Sequence, residues 1–311
     1  MSLLTSGCIN NKDQVKDITE VVEINGKEGV YSSITEALKN CENGDIINVG
    51  RGTYKENILV DKSVTLKGEN IENTIIDANS KYDAIYISSN SVKISGFTIN
   101  NSGKNGYPSY DSGIDISASN TLIMNCMIID NEYGIHIENG ANNTFNDNLI
   151  SKNKFGIYFD GYYSNPINNS QIKNNIFSNN SEKGIYLNYN YDSILKNNTI
   201  FKNDYGLHVK SSDDNIISSN LFDSNNKGLF FCCGAENNIV FKNIFLNNSE
   251  YNTKSNSINQ FDYDGIGNFW DDYSYSDENS DNIGEIPYTI YHNKNINISI
   301  VDRYPLVERL K

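Results

Sequence analysis

A motif in which one glycine is followed by an apolar, a variable and an apolar residue recurs six times through the middle of this chain. The glycines are 21, 22, 28, 22 and 22 residues apart, and the longest interval carries an insertion around residues 161–166. A fixed period of about 20–30 residues is typical of stacked repeat proteins, in which no unit buries its own apolar residues. The repeats therefore exclude most other folds. The six glycines are Gly113, Gly134, Gly156, Gly184, Gly206 and Gly228.

Asparagine occupies the same places in successive repeats. It accounts for 53 of the 311 residues. Asparagine tolerates the left-handed backbone of tight corners, and stacked amides hydrogen-bond to one another. We align Asn125 and Asp130 of an earlier repeat with the same two columns. The main members of these columns are Asn148, Asn175, Asn198, Asn220 and Asn243, and then Asn153, Asn180, Asn203, Asn225 and Asn248.

The apolar segments between the asparagines are too short for helices, but they suit strands that turn alternate side chains inward. Three such strands per repeat predict an all-β fold, a single-stranded parallel β-helix of about ten rungs. Residues 32–40 predict a short amphipathic helix that covers the first rung, with a serine as N-cap. We expect the β-helix with this cap to span residues 23–270 and an irregular cap to span residues 271–311.

The first 22 residues are interpreted as a trimmed signal and tether. Residues 4–8 (LTSGC) resemble the end of a lipoprotein signal, which makes Cys8 a candidate for lipid attachment. The alternative is an ordinary cytosolic N-terminus. No run of 18 apolar residues is present, so the sequence predicts no transmembrane helix.

Charge and cysteine content exclude several classes of protein. The formal net charge is −14, which argues against a nucleic-acid partner, because phosphate binding requires clustered Lys and Arg. Five cysteines without a CxxC pair argue against a disulfide framework or a zinc site. Cys41 and Cys126 are predicted to be buried, and Cys232 and Cys233 are either free thiols or a vicinal disulfide.

The strand after each repeated glycine should point one set of side chains outward, because strand residues alternate between faces. These outward residues predict a row of aromatic side chains that stack on sugar rings. The alternative is that outward tyrosines simply favour β-structure. The predicted ligand-binding residues are Tyr86, Tyr158, Tyr186, His208 and Phe230.

Acidic residues on the same strands form the best catalytic constellation in the sequence. Glu138 and Asp160 are predicted on adjacent rungs about 5 Å apart, near the carboxylate spacing of retaining glycosidases. His136 and Asp115 should lie beside them. Against catalysis, adjacent acids arise easily on an acidic surface, and no arginine lies within the repeats.

One acidic segment near the C-terminus resembles a truncated calcium-binding loop. Its oxygen ligands would be Asp277, Asn279, Asp281 and Glu285. Asn282 stands where such loops have glycine. The alternative is a solvated acidic turn, so calcium is the one cofactor that the sequence leaves open.

Segments at both ends of the chain resemble known β-helix proteins. Residues 33–38 (SITEAL), 43–45 (NGD), 52–57 (GTYKEN) and 63–68 (SVTLKG) resemble the opening of pectin-lyase-like right-handed β-helix proteins. Residues 267–273 (GNFWDDY), 283–288 (IGEIPY) and 302–306 (DRYPL) resemble the closing segment of the NosD-type branch, which is common among archaeal and bacterial cell-surface proteins.

The resemblance covers roughly residues 25–311 and implies a right-handed β-helix. It implies little about activity, because the family includes lyases, hydrolases, binding modules and a nitrous-oxide-reductase maturation factor. The family name suggests copper binding, but the candidate ligands in this chain include only three histidines and three methionines.

These observations predict an extracytoplasmic cell-surface protein that binds a polysaccharide or surface glycan without catalysis. Two alternatives remain. One is a polysaccharide hydrolase or lyase that acts at the outward face of the glycine-starting strands, and the other is a purely structural surface protein. The sequence does not predict the glycan or the oligomeric state.

Overall fold

The structure, a computed structural model, describes residues 21–292 and 299–309. The candidate lipid-attachment residue Cys8 and the proposed tether before residue 21 lie outside these described residues. Within the described ranges, no helix has the length and apolar character needed to cross a membrane.

The described chain winds as a right-handed parallel β-helix, in which each turn passes through three long sheets in the order sheet 1, sheet 2, sheet 3. The sheets contain ten, ten and nine strands respectively. All neighbouring strands in them are parallel except the first pair in sheet 1. The predicted all-β fold of about ten rungs is therefore confirmed.

The three sheets differ in strand length, and sheet 3 has the longest strands. Sheet 1 comprises Val22–Ile24, Ile46–Val49, Thr65–Gly68, Lys93–Ser95, Leu122–Met124, Thr144–Asn146, Gln171–Lys173, Ile194–Lys196, Ile216–Ser218 and Ile239–Phe241. Sheet 2 comprises Gly52–Tyr54, Thr74–Asp77, Thr98–Asn100, Met127–Ile129, Leu149–Ser151, Ile176–Ser178, Thr199–Phe201, Leu221–Asp223, Ile244–Leu246 and Phe269–Trp270. Sheet 3 comprises Ile58–Val60, Ile85–Ile87, Ser112–Ser117, Tyr133–Asn139, Phe155–Asp160, Lys183–Asn188, Tyr205–Lys210, Lys227–Cys232 and Tyr251–Ser255.

Two further strand pairs lie outside the long sheets. Ile167–Asn168 pairs in parallel with Asn190–Tyr191, at the insertion that lengthens one repeat. Tyr288–Thr289 pairs in antiparallel fashion with Val301–Asp302 near the C-terminus.

Buried asparagine ladders connect the rungs at their corners. The Asn198 backbone N–H and side-chain Nδ2 both donate to Asn220 Oδ1 at 2.9 Å, and Nδ2 also donates to the Ile172 carbonyl at 2.8 Å. The same pattern runs through Asn148, Asn175, Asn220 and Asn243. The predicted stacking of this column is therefore confirmed, and the asparagines satisfy backbone groups that the corners would otherwise leave buried and unbonded.

For two members of the asparagine columns, the sequence alignment selected the residue one position before the buried one. Asn125 and Asp130 lie at corner positions with φ of 49° and 57°. The buried positions of that rung belong to Cys126 and Asn131, whose backbone N–H groups donate to the next ladder asparagines at 3.0 Å. Asparagine therefore has two separate roles here, one in the left-handed corner and one in the buried ladder beside it.

A short helix covers the first rung, as predicted. It spans Ile34–Asn40 and buries Ile34, Ala37 and Leu38. Ser33 is the N-cap, because its hydroxyl accepts the Glu36 N–H at 3.0 Å. Glu36 in turn accepts the Ser32 N–H at 2.9 Å. These bonds satisfy backbone donors at the start of the helix.

The last rung is covered by segments from residue 271 onward. Inside the coil, the ring of Phe245 stacks on Trp270 with centroids 4.4 Å apart, and Trp270 stacks on Tyr288 at 4.4 Å. Buried Asp302 ends one asparagine ladder: it accepts the Asn268 N–H at 2.7 Å and the Trp270 Nε1–H at 3.0 Å. The cap therefore closes both the apolar core and the polar ladder.

Candidate functional site

The outward side chains of sheet 3 form one continuous row. Its strands pair in parallel register, so that equivalent residues of successive rungs stand side by side about 4.8 Å apart. This confirms the predicted placement, although it does not test a binding role. The row runs in the order Tyr86, Asp115, His136, Tyr158, Tyr186, His208 and Phe230.

The row is less open to solvent than we expected, because a segment between two strands folds over part of it. Tyr110 stacks on His136 with ring centroids 4.4 Å apart, and His136 is only 2% exposed. Tyr133 and Phe155, each three residues before the row residue of its strand, stack on each other at 4.9 Å beside it. Sequence reasoning missed Tyr110 because it lies in an irregular segment with no repeat signal.

His136 lies between two carboxylates. Its Nδ1 is 2.9 Å from Asp115 Oδ1, and its Nε2 is 4.0 Å from Asp160 Oδ2, too far for a hydrogen bond. Burial opposes the positive charge of His136, but Asp115 and Asp160 outweigh it and raise the pKa of His136 to about 9. Burial likewise disfavours the charge of Asp160, yet His136 and Tyr110 hold its pKa below the usual value. The site therefore carries an imidazolium between two carboxylates at neutral pH.

This buried charge should make stability depend on pH. A folded-state pKa above the unfolded value of 6.5 means that the stabilisation is complete below pH 6.5 and is lost as pH rises through about 9. We expect the free energy of unfolding to fall by about 2–3 kcal/mol more between pH 6.5 and 9 in the wild type than in His136→Gln. Urea unfolding of both proteins across this range measures the difference, and parallel pH profiles would contradict the assignment.

Asp83 is a fourth ionisable group at this place, and the sequence analysis did not identify it. Its Oδ1 accepts the Ser112 N–H at 2.7 Å. Burial and the nearby charge of Asp115 raise the pKa of Asp83 to about 7. Asp83 lines a small open cavity of about 260 Å³ together with Asp115, His136, Glu138 and Tyr110.

Glu138 does not pair with Asp160 as predicted. Ser117 pairs with Asn139 instead of the residue before it, so Glu138 is the extra residue of a β-bulge, and it is exposed. Asp160 pairs with Asn188 on the following rung. The structure therefore brings together Asp115, His136 and Asp160, and it places Glu138 at the rim of the cavity. A bulge of this kind re-aims a side chain and leaves no trace in the repeat pattern.

The other half of the row carries lysines that sequence reasoning also missed. Lys183 Nζ lies 4.3 Å from the ring centroid of Tyr186, 5.3 Å from that of Phe155 and 5.9 Å from that of Tyr205. On a later rung, Lys227 Nζ lies 4.3 Å from the Tyr205 centroid. The signal was present, since lysine occupies the residue before the repeated glycine in two repeats, but we followed only the column after it.

His208 and two cysteines lie next to these lysines. Burial, with repulsion from Lys183 and Lys210, lowers the pKa of His208 to about 3, so its imidazole is neutral. His208 Nε2 lies 3.2 Å from Cys232 Sγ, and Cys232 Sγ lies 3.0 Å from Cys233 Sγ. Both cysteines are free thiols, and burial raises the pKa of Cys232 to about 12.

The acidic loop near the C-terminus satisfies its own backbone. Asp277 Oδ2 accepts the Asn282 N–H at 2.7 Å, and Asn279 Oδ1 accepts the Asp281 N–H at 3.0 Å. Asp281 Oδ1 accepts the Ile283 N–H at 2.8 Å. No hydrogen bond within the described residues involves the Glu285 carboxylate. Calcium binding at this loop stays a prediction.

These features define a right-handed parallel β-helix protein with one polar and aromatic face. The chain belongs to the NosD family, described as periplasmic copper-binding protein (NosD), whose model matches residues 109–275. A second model, described as right handed beta helix region, matches residues 25–170.

A cell surface glycoprotein of Methanothermus fervidus is 40% identical over 118 residues, which cover 37% of this chain and 19% of that protein. The match thus spans about a fifth of the length of this relative.

Several solved structures of other proteins share the fold. An alginate lyase from Paenibacillus sp. str. FPU-7 has a TM-score of 0.58 at 16% identity and covers 75% of this chain and 93% of its own. DFA-IIIase from Arthrobacter chlorophenolicus A6 has a TM-score of 0.57 at 14% identity, covering 72% and 68% respectively. The Dettilon tailspike protein has a TM-score of 0.51 at 15% identity, covering 72% and 57%. At these identities the likeness establishes the fold alone.

The described residues do not form the copper site that the family description suggests. Copper favours imidazole and sulfur ligands, and the nearest such set is His208, Cys232 and Cys233. Two sulfurs bound to one metal ion at about 2.3 Å in a tetrahedral site lie about 3.8 Å apart, whereas these are 3.0 Å apart. Among the residues that the structure describes, no group of three or more His, Cys, Asp or Glu is arranged to hold a metal ion. We therefore assign copper no role at this face.

Proposed function

We propose that this protein binds a polysaccharide along the outward face of sheet 3, outside the cytoplasm. The in-register row of aromatic and ionisable side chains carries the proposal. Sugar rings offer flat apolar faces with hydroxyl groups around their edges. A surface that alternates aromatic rings with charged hydrogen-bonding groups complements both features.

Exposed tyrosines on the loops beside the row support this proposal. Tyr107 is 80% exposed and Tyr162 is 48% exposed. Tyr107 packs edge-on against Tyr110 with ring centroids 5.9 Å apart, and Tyr162 interacts electrostatically with Asp160 and Glu138. Tyr107 therefore lies against Tyr110, which lines the His136 cavity, and Tyr162 lies near Asp160 and Glu138 on the same side of sheet 3.

The relatives support an external location. The NosD family is described as periplasmic, and the matched glycoprotein is described as a cell surface protein. Attachment through a lipid on Cys8 would hold the protein at the outer surface of a membrane. Cell fractionation of the native protein with and without Cys8→Ser tests this attachment separately from glycan binding.

Removal of the exposed rings of Tyr107 and Tyr162 should weaken polysaccharide binding. We expect Tyr107→Ala combined with Tyr162→Ala to lower the affinity at least tenfold, about 1.4 kcal/mol. Binding is measured by isothermal titration calorimetry against a panel of soluble neutral and acidic polysaccharides. Tyr275→Ala is the matched control, because Tyr275 is 53% exposed and belongs to the C-terminal cap, not to sheet 3 or its loops. Absence of binding to every polysaccharide, or equal losses in the control, would contradict the proposal.

Polysaccharide hydrolysis or elimination is a second candidate function, and one observation favours it. Asp83 and Asp115 line the same cavity, and the pKa of Asp83 is raised to about 7. A pair of carboxyl groups suits general acid catalysis when one of the two stays protonated near neutral pH. A reducing-sugar assay on the same panel distinguishes the candidates: turnover that Asp83→Asn abolishes would favour catalysis, and binding without turnover would favour the binding protein.

A further inference from the structure

The outward face of sheet 3 has acidic side chains on one part of its length and lysines on the other. The rungs near His136 carry Asp83, Asp115 and Asp160, whereas the later rungs carry lysines in a chain of formal net charge −14. Concentration of positive charge on one part of an acidic protein is unexpected from composition and calls for a local explanation. The lysines of this half are Lys183, Lys210, Lys227 and Lys254.

Lys183 is the exceptional member of this group. Lys227 Nζ lies 3.5 Å from Asp204 and 3.4 Å from Glu250, so its charge is compensated. Lys183 is half-buried, and among the described residues it forms no salt bridge and donates no hydrogen bond. The neighbouring Glu182 lies 3.8 Å from Lys154 instead. Lys183 therefore presents on the outward face of sheet 3 an ammonium group that no salt bridge compensates.

The surroundings of Lys183 disfavour its charge in the ligand-free protein. Burial lowers the pKa of Lys183, and the charge of Lys210 acts in the same direction, whereas Glu182 and Asp204 oppose the shift without reversing it. A partly buried cation without a counter-ion is costly, and an anion placed between the two lysines would relieve this cost. Among the described residues, Glu182 and Asp204 lie near Lys183, but no carboxylate forms a salt bridge with Lys183 or Lys210.

The same lysine is framed by flat apolar surface. Its ammonium group lies over the rings of Tyr186, Phe155 and Tyr205. Three aromatic rings around one cation suit a ligand unit that combines an apolar ring face with an anionic substituent. A sugar that carries a carboxylate or sulfate group has this combination.

We propose that the Lys183–Lys210 half of the face binds the anionic substituent of an acidic polysaccharide, so that the ligand is a charged glycan and not a neutral one. This inference rests on the proposed polysaccharide-binding function and narrows its substrate class. The lysine-bearing rungs from Lys183 to Lys254 extend over about 15 Å at 4.8 Å per rung, which is enough for several sugar units.

Paired polymers that differ only in charge test this inference. Polygalacturonate is compared with its fully methyl-esterified form, and dextran sulfate with dextran, so that the two pairs distinguish a carboxylate from a sulfate ligand. We expect the wild-type protein to bind the charged member of at least one pair ten times more tightly or better. Lys183→Gln should remove this preference, so that the charged member binds no more tightly than the neutral member.

Two variants separate a specific contact from general charge or folding effects. Lys183→Arg retains the charge and should retain the preference. Lys196→Gln removes an exposed lysine on sheet 1 and should not alter it. Thermal melting of each variant shows whether the fold is intact.

Each outcome has a definite meaning. Equal affinity for the charged and neutral members would overturn the inference while leaving glycan binding in place. A charge preference that persists in folded Lys183→Gln would also overturn it. Absence of binding to any polymer would overturn both this inference and the proposed function.

Discussion

Asn225→Ala is expected to lower the free energy of unfolding by about 4 kcal/mol, although it removes only one polar side chain. The Asn225 amide donates to the Ile200 carbonyl at 2.9 Å, and its Oδ1 accepts the Asn203 backbone N–H at 3.1 Å. Alanine leaves both of these backbone groups buried without a partner. Each costs about 1–3 kcal/mol, and the cavity adds to the loss. Equilibrium urea denaturation measures the change.

The neighbouring residue provides a matched control for this prediction. Asn226 is exposed, and its side chain bonds to Asp204 at 3.0 Å on the surface. Asn226→Ala should cost about 0.5 kcal/mol or less, as is usual for surface substitutions. Similar losses in the two variants would show that the ladder is not the source of the stability.

Gly156→Ala is expected to be at least as destabilising, by about 3–5 kcal/mol, because one methyl group would collide with the next rung. A Cβ atom at Gly156 would lie 2.2 Å from the Gly184 carbonyl oxygen. That oxygen belongs to the backbone of the paired strand, so relief requires the two strands to separate locally. Urea denaturation again gives the size of the effect.

Gly106→Ala is the control for this second substitution. A Cβ atom at Gly106 would meet only the Tyr133 hydroxyl, at 3.6 Å. We therefore expect the stability of Gly106→Ala to stay within about 0.5 kcal/mol of the wild type. If Gly156→Ala were as mild as this control, the glycine column would not be required for close approach of the rungs.

The fold was predictable because the repeat period and the two asparagine columns are physical requirements of the coil. The errors in aligning these columns arose because asparagine is favoured both at the left-handed corner and at the buried ladder position next to it. In the rung of Asn125, the buried ladder position is Cys126, so alignment on asparagine selected the corner residue instead. A sequence pattern cannot distinguish the two, because both positions favour the same side chain for different reasons.

The candidate site was predictable only where it follows the repeat. The register of sheet 3 brought Asp115 and His136 together as expected. Tyr110 comes from a segment between strands, and Glu138 is displaced by a bulge, so neither position follows from the repeat period. The residues that distinguish this face from a regular repeat surface are therefore those that depart from the repeat pattern.

The ladder that ends at Asp302 has a direction. Each asparagine oxygen receives hydrogen bonds from the rung before it, and each amide donates to the rung after it, until a carboxylate that only accepts closes the series. Whole turns could thus be duplicated in the interior of the gene without any change at either end. Growth by addition at the C-terminal end would require a new acceptor. This asymmetry allows the coil, and the outward face of sheet 3 with it, to lengthen or shorten by whole turns while both capped ends stay the same.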